Sequence, residues 1–241
     1  MLLHSGNGEL VVSDAARLNL AGGLEMVLPV SAAGVSDVVI SNNDVIGSRG
    51  IDVFGVSTFA NSNVPDLDQE VQDSLAAVDG LNPADFVSVQ EGVSPVAVKL
   101  RPQLDIISNG DLVIGEPGRT LDLMSYRSAA GEAGRVSFRA RDDITVQGGI
   151  SDGVRGLISN LSPAGITFDY VDDLNQSAAA VPVLAAGESS SIQLTAGVAE
   201  GSAMNRSLRL NTADIVLRNN SHVRTGTCLL YTSDAADEED S

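Results

Sequence analysis

The chain has 241 residues, 43% of them hydrophobic, with a formal net charge of −18 and a pI near 4.2. That length can bury a sizeable core as one domain or two, and the apolar share excludes a disordered polar chain. The acidic balance argues against nucleic acid as a partner, which needs clustered Lys and Arg, and offers no polybasic attraction to an anionic membrane.

Aromatic residues make up only 3% and Trp is absent, whereas a globular enzyme of this size usually carries more large rings for core and pocket. The apolar residues are mostly Val, Leu, Ile and Ala, punctuated by 24 Gly, a mixture that suits short stacked strands. No run is long and apolar enough to span a bilayer. The opening Met1-Leu2-Leu3-His4-Ser5-Gly6 lacks a charged region followed by an apolar stretch, so it does not read as a signal peptide. An internal fragment is the expectation.

In chain order, short apolar strands alternate with turns of Asn, Asp or Gly. Leu10-Val11-Val12, Leu18-Asn19-Leu20 and Leu24 to Leu28 come first. Val38-Val39-Ile40 meets Ser41-Asn42-Asn43-Asp44, then Val45-Ile46 and Ile51-Asp52-Val53-Phe54. Residues 57–98 break this pattern. Leu67, Val71, Leu75 and Val78 sit at helical spacing there, and Asp66 is placed to cap a short helix ending at Gly80.

The pattern resumes with Leu104-Asp105-Ile106, the corner Ser108-Asn109-Gly110-Asp111, Leu112-Val113-Ile114 and Leu121-Asp122-Leu123. Val136 to Ala140, Arg141-Asp142-Asp143, Ile144-Thr145-Val146 and Gly148-Gly149 follow. Residues 156–190, with Ser162-Pro163 and the polar run Asp172 to Ser177, read as a surface loop or insertion. Ile192 to Ala196, Leu208-Arg209-Leu210, Ile215-Val216-Leu217 and Val223 complete the series.

Period-two alternation puts Leu104 and Ile106 on one face and Asp105 on the other, and separates Val136, Phe138 and Ala140 from Ser137 and Arg139. Strands this short cannot fold alone. The pattern predicts a coil of stacked rungs, each burying its inner face on its neighbours, although a sandwich or barrel gives similar periodicity. Asn, Asp and Gly suit its corners because they tolerate left-handed backbone angles.

The segment Cys228 to Glu238 resembles the translation of a sequencing adaptor. Setting it aside removes the single cysteine, and without Asp234, Asp237, Glu238, Glu239 and Asp240 the charge falls to −13. The remaining chain then has no disulfide and no Cys metal site, which is compatible with export.

Several phrases between Leu100 and Thr227 resemble the large filamentous-haemagglutinin exoproteins of Gram-negative bacteria. They are Leu100-Arg101-Pro102 with Leu104-Asp105-Ile106, Gly134 to Ala140 with Asp143 to Val146 and Gly149 to Gly153, and Asp214 to Leu217 ending in Val223-Arg224-Thr225-Gly226-Thr227. The resemblance covers about half the chain. It implies an all-β, right-handed parallel β-helix (solenoid) with short helical or loop excursions. It also implies two-partner secretion and roles in adhesion or cell-surface display.

The organisation expected is β-helix rungs at 1–56, 99–155 and 191–227, an excursion with a short helix at 57–98, an insertion at 156–190 and an artefactual disordered tail at 228–241. The function expected is that of a secreted scaffold and adhesin at the bacterial cell surface, not an enzyme. Its partners would be host or neighbouring-cell surface molecules, with an outer-membrane transporter during secretion, and neither nucleic acid nor a small-molecule cofactor. The alternatives are a polysaccharide lyase or hydrolase on a β-helix and the stalk of a contact-dependent toxin-delivery protein.

Arg139, Arg141, Asp142 and Asp143 come nearest to an enzyme's carboxylate–arginine cluster, but alternation sends the arginines outward beside a solvated turn. Asp172-Asp173 are adjacent and point apart, which does not suit calcium. His4 lies near the start and His222 in a turn beside Asn219 and Asn220, too few for histidine chemistry. Neither Gly-x-Ser-x-Gly nor a phosphate-binding loop occurs. No catalytic, cofactor-binding or metal-binding residue is therefore assigned.

Overall fold

Strands of two to eleven residues dominate the computed structural model. It describes residues 24–28, 50–82, 97–153, 187–198, 213–218 and 221–226 in full, and elsewhere the backbone of the strands named below. These residues form two compact units. One comprises Met1–Phe59, Gln69–Asp105 and Arg127–Arg135, the other Ala60–Asp68, Ile106–Tyr126 and Val136–Ser241.

The first stretch of chain forms β1 (Leu2–His4), β2 (Leu10–Val11), β3 (Leu18–Asn19), β4 (Leu24–Ser31), β5 (Gly34–Val35), β6 (Val38–Ser41) and β7 (Val45–Ile46). Next come β8 (Ile51–Ala60), β9 (Asn63–Val64), the helix α1 (Asp68–Asp79), β10 (Val87–Ser88) and β11 (Val98–Ser108). Then follow β12 (Leu112–Ile114), β13 (Thr120–Asp122), β14 (Arg135–Ala140), β15 (Ile144–Val146) and β16 (Gly149–Asp152). The remainder is β17 (Val154–Ser162), β18 (Gly165–Val171), β19 (Val181–Leu184), β20 (Ser191–Thr195), β21 (Ile215–Leu217), β22 (His222–Thr225) and β23 (Leu230–Ser233). The class is all-β with mostly parallel strand pairing, and α1 is the one helix among the described residues.

In the first unit the chain meets three sheets in turn and then returns to the first. β1, β4, β8 and β11 lie side by side, β2 pairs with β6 and β6 with β10, and β3 pairs with β7. The pairing is parallel, with Leu2 opposite Glu25, Leu10 opposite Val38, Leu18 opposite Val45 and Leu24 opposite Ile51. Alternation turns Leu24, Met26, Leu28, Ile51, Val53 and Leu104 into the core, all essentially without solvent contact. Helix α1 buries Val71, Ser74 and Val78, and the Ser74 hydroxyl donates to the Gln103 carbonyl at 3.5 Å. The helix begins at Asp68, two residues after the expected cap Asp66, and Ser74 rather than Leu75 lies fully buried.

The second unit repeats the same traverse. β9, β12, β15 and β21 form one parallel sheet and β13, β16 and β22 another. Val64 lies opposite Ile114, Leu112 opposite Ile144, Ile144 opposite Ile215 and Ile150 opposite Val223. Like therefore stacks on like. Leu112, Ile114, Ile144, Val146 and Ile150 are all fully buried, as are Val136, Phe138 and Ala140 of β14.

Three regions differ from the sequence reading. β8 runs on to Ala60 and β9 pairs with β12, so strand structure extends to Val64 within the segment assigned to an excursion. Much of the region read as a loop at 156–190 is an antiparallel sheet in the order β18-β17-β19. Ile166, Phe168 and Tyr170 alternate there with Thr167 and Asp169, a strand signal that the neighbouring polar run obscured. β23 falls inside the tail set aside on sequence and pairs in parallel with β20, Ile192 opposite Leu230.

A close backbone approach fixes the corner before β16. A Cβ at Gly148 would lie 2.5 Å from the Arg119 carbonyl oxygen and 2.6 Å from that of Glu116, both backbone atoms unable to move cheaply. Gly148→Ala is expected to lower stability by about 1–3 kcal/mol. The same change at Gly110, where a Cβ meets nothing within 4 Å, is expected to have little effect. Phe138→Ala, in the core, is expected to lower it by about 3–5 kcal/mol. Urea unfolding of the variants checks all three; equal midpoints for the two glycine variants would contradict the close approach.

Candidate functional site

The richest set of charged side chains lies on the outward face of the first unit's main sheet. The alternation that buries Leu24, Ile51 and Leu104 turns Glu25, Asp52, Phe54, Arg101, Gln103, Asp105 and Arg135 the other way. Solvent reaches that face only in part: Gln103 and Asp105 are buried and the Arg101 side chain is 13% exposed, whereas the Glu25 and Asp52 side chains are 35% and 37% exposed.

Buried charge needs partners, and here each arginine is met on several sides. Arg101 donates from Nε to Asp52 at 2.7 Å and from Nη1 to the Ala133 carbonyl at 3.1 Å, and its Nη2 lies 3.2 Å from Glu132. Lys99 Nζ meets the same Glu132 oxygen at 3.1 Å. Arg135 pairs with Glu25 at 2.7 Å, lies 4.2 Å from the centre of the Phe54 ring and reaches Gln103 at 3.4 Å. Gln103 in turn donates to Asp105 at 3.0 Å. The network ties β4, β8, β11 and the loop before β14 together side to side. Its acids are spread along these partners, and no group of three or more metal-ligating side chains occurs among the described residues.

The cluster singled out in the sequence behaves differently. Arg139 does not project into water as alternation suggested; it is 8% exposed, and its strand neighbour Ser137 is buried too. The correction has a general cause: period two assigns a residue to a face but cannot say whether that face is covered. Arg141 and Asp142 are half-buried at the bend after β14, and Asp143 is exposed.

Asp143 has a structural task. The Asp111 carboxylate accepts the Asp143 backbone N–H at 3.2 Å, and the Asp143 carboxylate accepts that of Asp214 at 2.9 Å. These residues lie 32 and 71 positions apart, so the acids form a ladder at one corner of successive passes. The Ser108 hydroxyl secures the first of these corners by donating to the Asp111 carbonyl at 2.7 Å.

His222 is not in a turn. It opens β22 opposite Gly149, where a Cβ would lie 2.5 Å from the imidazole, so glycine makes room for the ring. His4 contributes backbone to β1, and Asp172-Asp173 lie outside the described residues.

One buried acid escaped the sequence reading. Asp152, at the end of β16, has no solvent exposure and accepts the Ser190 backbone N–H, while the Ser190 hydroxyl donates to the Tyr126 carbonyl at 3.5 Å. The only available signal was an Asp closing an apolar strand just before Gly153. At the surface, hydrogen bonding and attraction from Glu116 raise the Arg119 pKa above its ordinary value.

Fold and site together define an all-β protein whose charged groups brace strands. No family model, curated protein or solved structure matches the chain.

Arg135→Ala is expected to lower stability by about 1–3 kcal/mol, because it removes a stacked cation and leaves Glu25 and Gln103 without that partner. Arg135→Lys should recover less than half of the loss, since an ammonium cannot stack and fork as a guanidinium does. Urea midpoints measure both; a fully rescued lysine variant would show that the stacked, forked geometry contributes nothing.

Proposed function

We propose that this chain is a stretch of right-handed parallel β-helix from a large secreted bacterial exoprotein of the filamentous-haemagglutinin kind, serving as surface scaffold and adhesin. The observation that carries the reading is the repeated traverse. Each unit meets its sheets in the same order on successive passes, and equivalent corner residues return 32 and 71 positions along the chain. A coil of this sort accommodates insertions of different length between rungs while keeping the stacked strands in register. Parallel crossovers are right-handed in nearly all known sheets.

Several further features suit a passive display surface. Aliphatic rungs need few aromatics, the acidic balance keeps a long molecule soluble, and the arginines are engaged as struts. The three-stranded excursion β17–β19 would present contact residues from a rigid base, as loops on scaffolds commonly do. Export through an outer-membrane transporter and contact with host or neighbouring-cell surface molecules complete the reading.

The test is attachment of beads carrying the purified chain to cultured epithelial cells and to bacterial lawns. Saturable attachment, blocked by excess soluble chain, is expected. Attachment no greater than that of albumin-coated beads would refute the adhesin role. Release of new reducing ends or unsaturated sugars from acidic polysaccharides would instead favour the lyase or hydrolase alternative.

A further inference from the structure

Three strands of the second unit carry one sequence phrase. Asp111-Leu112-Val113-Ile114, Asp143-Ile144-Thr145-Val146 and Asp214-Ile215-Val216-Leu217 each set an acid before an aliphatic residue, a spacer and a second aliphatic. β12, β15 and β21 stack these phrases in parallel and in register. Each acid serves the pass that follows it: Asp111 accepts the Asp143 N–H and Asp143 accepts the Asp214 N–H.

The last phrase is left without a successor. Asp214 is exposed, and its carboxylate, unlike the two before it, accepts no N–H among the described residues. β21 pairs with β15 alone, so its other edge presents backbone groups to solvent. Leu217, 56% exposed, is the one exposed large hydrophobic side chain among the described residues. A bare strand edge beside an exposed aliphatic is a template for another strand, and stacked-repeat proteins ordinarily close such an edge with a polar cap.

The first unit opens on the same phrase. Glu9-Leu10-Val11-Val12 and Asp37-Val38-Val39-Ile40 repeat it, and β2 pairs in parallel with β6 through Leu10 opposite Val38. β6 lies between β2 and β10, which makes β2 the outer strand of its sheet. β21 is thus the last pass of one sheet and β2 the first pass of another, and they share phrase and strand direction. Their open edges are complementary in the way that successive passes are.

We infer that the chain binds a second copy of itself head to tail, the β21 edge of one copy taking the β2 edge of the next as a further parallel pass. In that register Asp214 stands opposite the second copy's Glu9, Ile215 opposite its Leu10 and Leu217 opposite its Val12. Asp214 gains the N–H that Asp111 and Asp143 already hold, and Leu217 leaves water. Any strand can pair with a bare edge, but the shared phrase and the matched sides select a second copy. The two edges differ, so the contact is heterologous and repeats into open chains of copies. The charge of −18 on each copy opposes the contact, so added salt strengthens it. The inference rests on the strand edges and is independent of the adhesin reading.

Sedimentation equilibrium of the full chain tests it. The weight-average mass is expected to climb with concentration above the 24.8 kDa of one chain, and more steeply at high salt. Leu217→Lys, at an exposed position, and Glu9→Pro, which deletes the N–H offered to Asp214, should each weaken association about tenfold or more. An equimolar mixture of the two variants pairs the intact β21 edge of Glu9→Pro with the intact β2 edge of Leu217→Lys. It should therefore recover association and stop at two copies, which also shows that both variants are folded. Three results would overturn the inference: a single-chain mass at every concentration, undiminished association of Leu217→Lys, or a mixture no more associated than its separate components while circular dichroism shows both folded.

Discussion

Parallel pairing of one pass of chain on the next, with like residues in register, is the constraint on which everything else rests. Strands of two to five residues have no independent stability. They persist because each lies between neighbours that satisfy its backbone and cover its inward side chain. Leu112 on Ile144 shows the effect at one position and Ile114 on Val146 at the next inward one, all four fully buried; on the edge strand β21, Ile215 is half-buried and Leu217 exposed. Shifting one strand by a single residue would turn its aliphatic side chains outward and its polar ones into the core, so register is strongly specified.

Stacking in turn imposes demands on the corners. Successive passes bend at the same place, and backbone groups there would be left without partners if nothing reached them. The carboxylates of Asp111 and Asp143 answer this by accepting N–H groups from the following pass. At the corner before β16, Gly148 answers a different demand by letting backbone carbonyls approach more closely than a side chain allows. In the sequence Asp111, Asp143 and Gly148 read as ordinary turn residues, yet they hold the geometry of the turns.

The outer face of the first unit's sheet carries the same logic to charged groups. Once covered, its arginines must find acceptors, and Arg101 and Arg135 find them on several strands at once. The result is lateral bracing in place of reactive chemistry. Such bracing accords with a protein proposed to display surfaces, because a rigid support holds contact residues in place.

Period-two alternation, aliphatic composition and Asn/Asp/Gly punctuation determined from sequence alone the short strands and the inward set Leu104, Ile106, Val136, Phe138 and Ala140, while the same periodicity suited a sandwich or barrel as well as a stacked coil. These are local properties, written within a few residues of each other. Tertiary structure alone decided which outward faces are covered, and hence that Arg139 and Asp105 are buried. It also decided that Asp111, Asp143 and Asp214 align, that Asp152 anchors Ser190, and that Lys99 and Arg101 share Glu132. Those relations join residues tens of positions apart, and the irregular lengths between passes leave no fixed period from which their partnership could be counted.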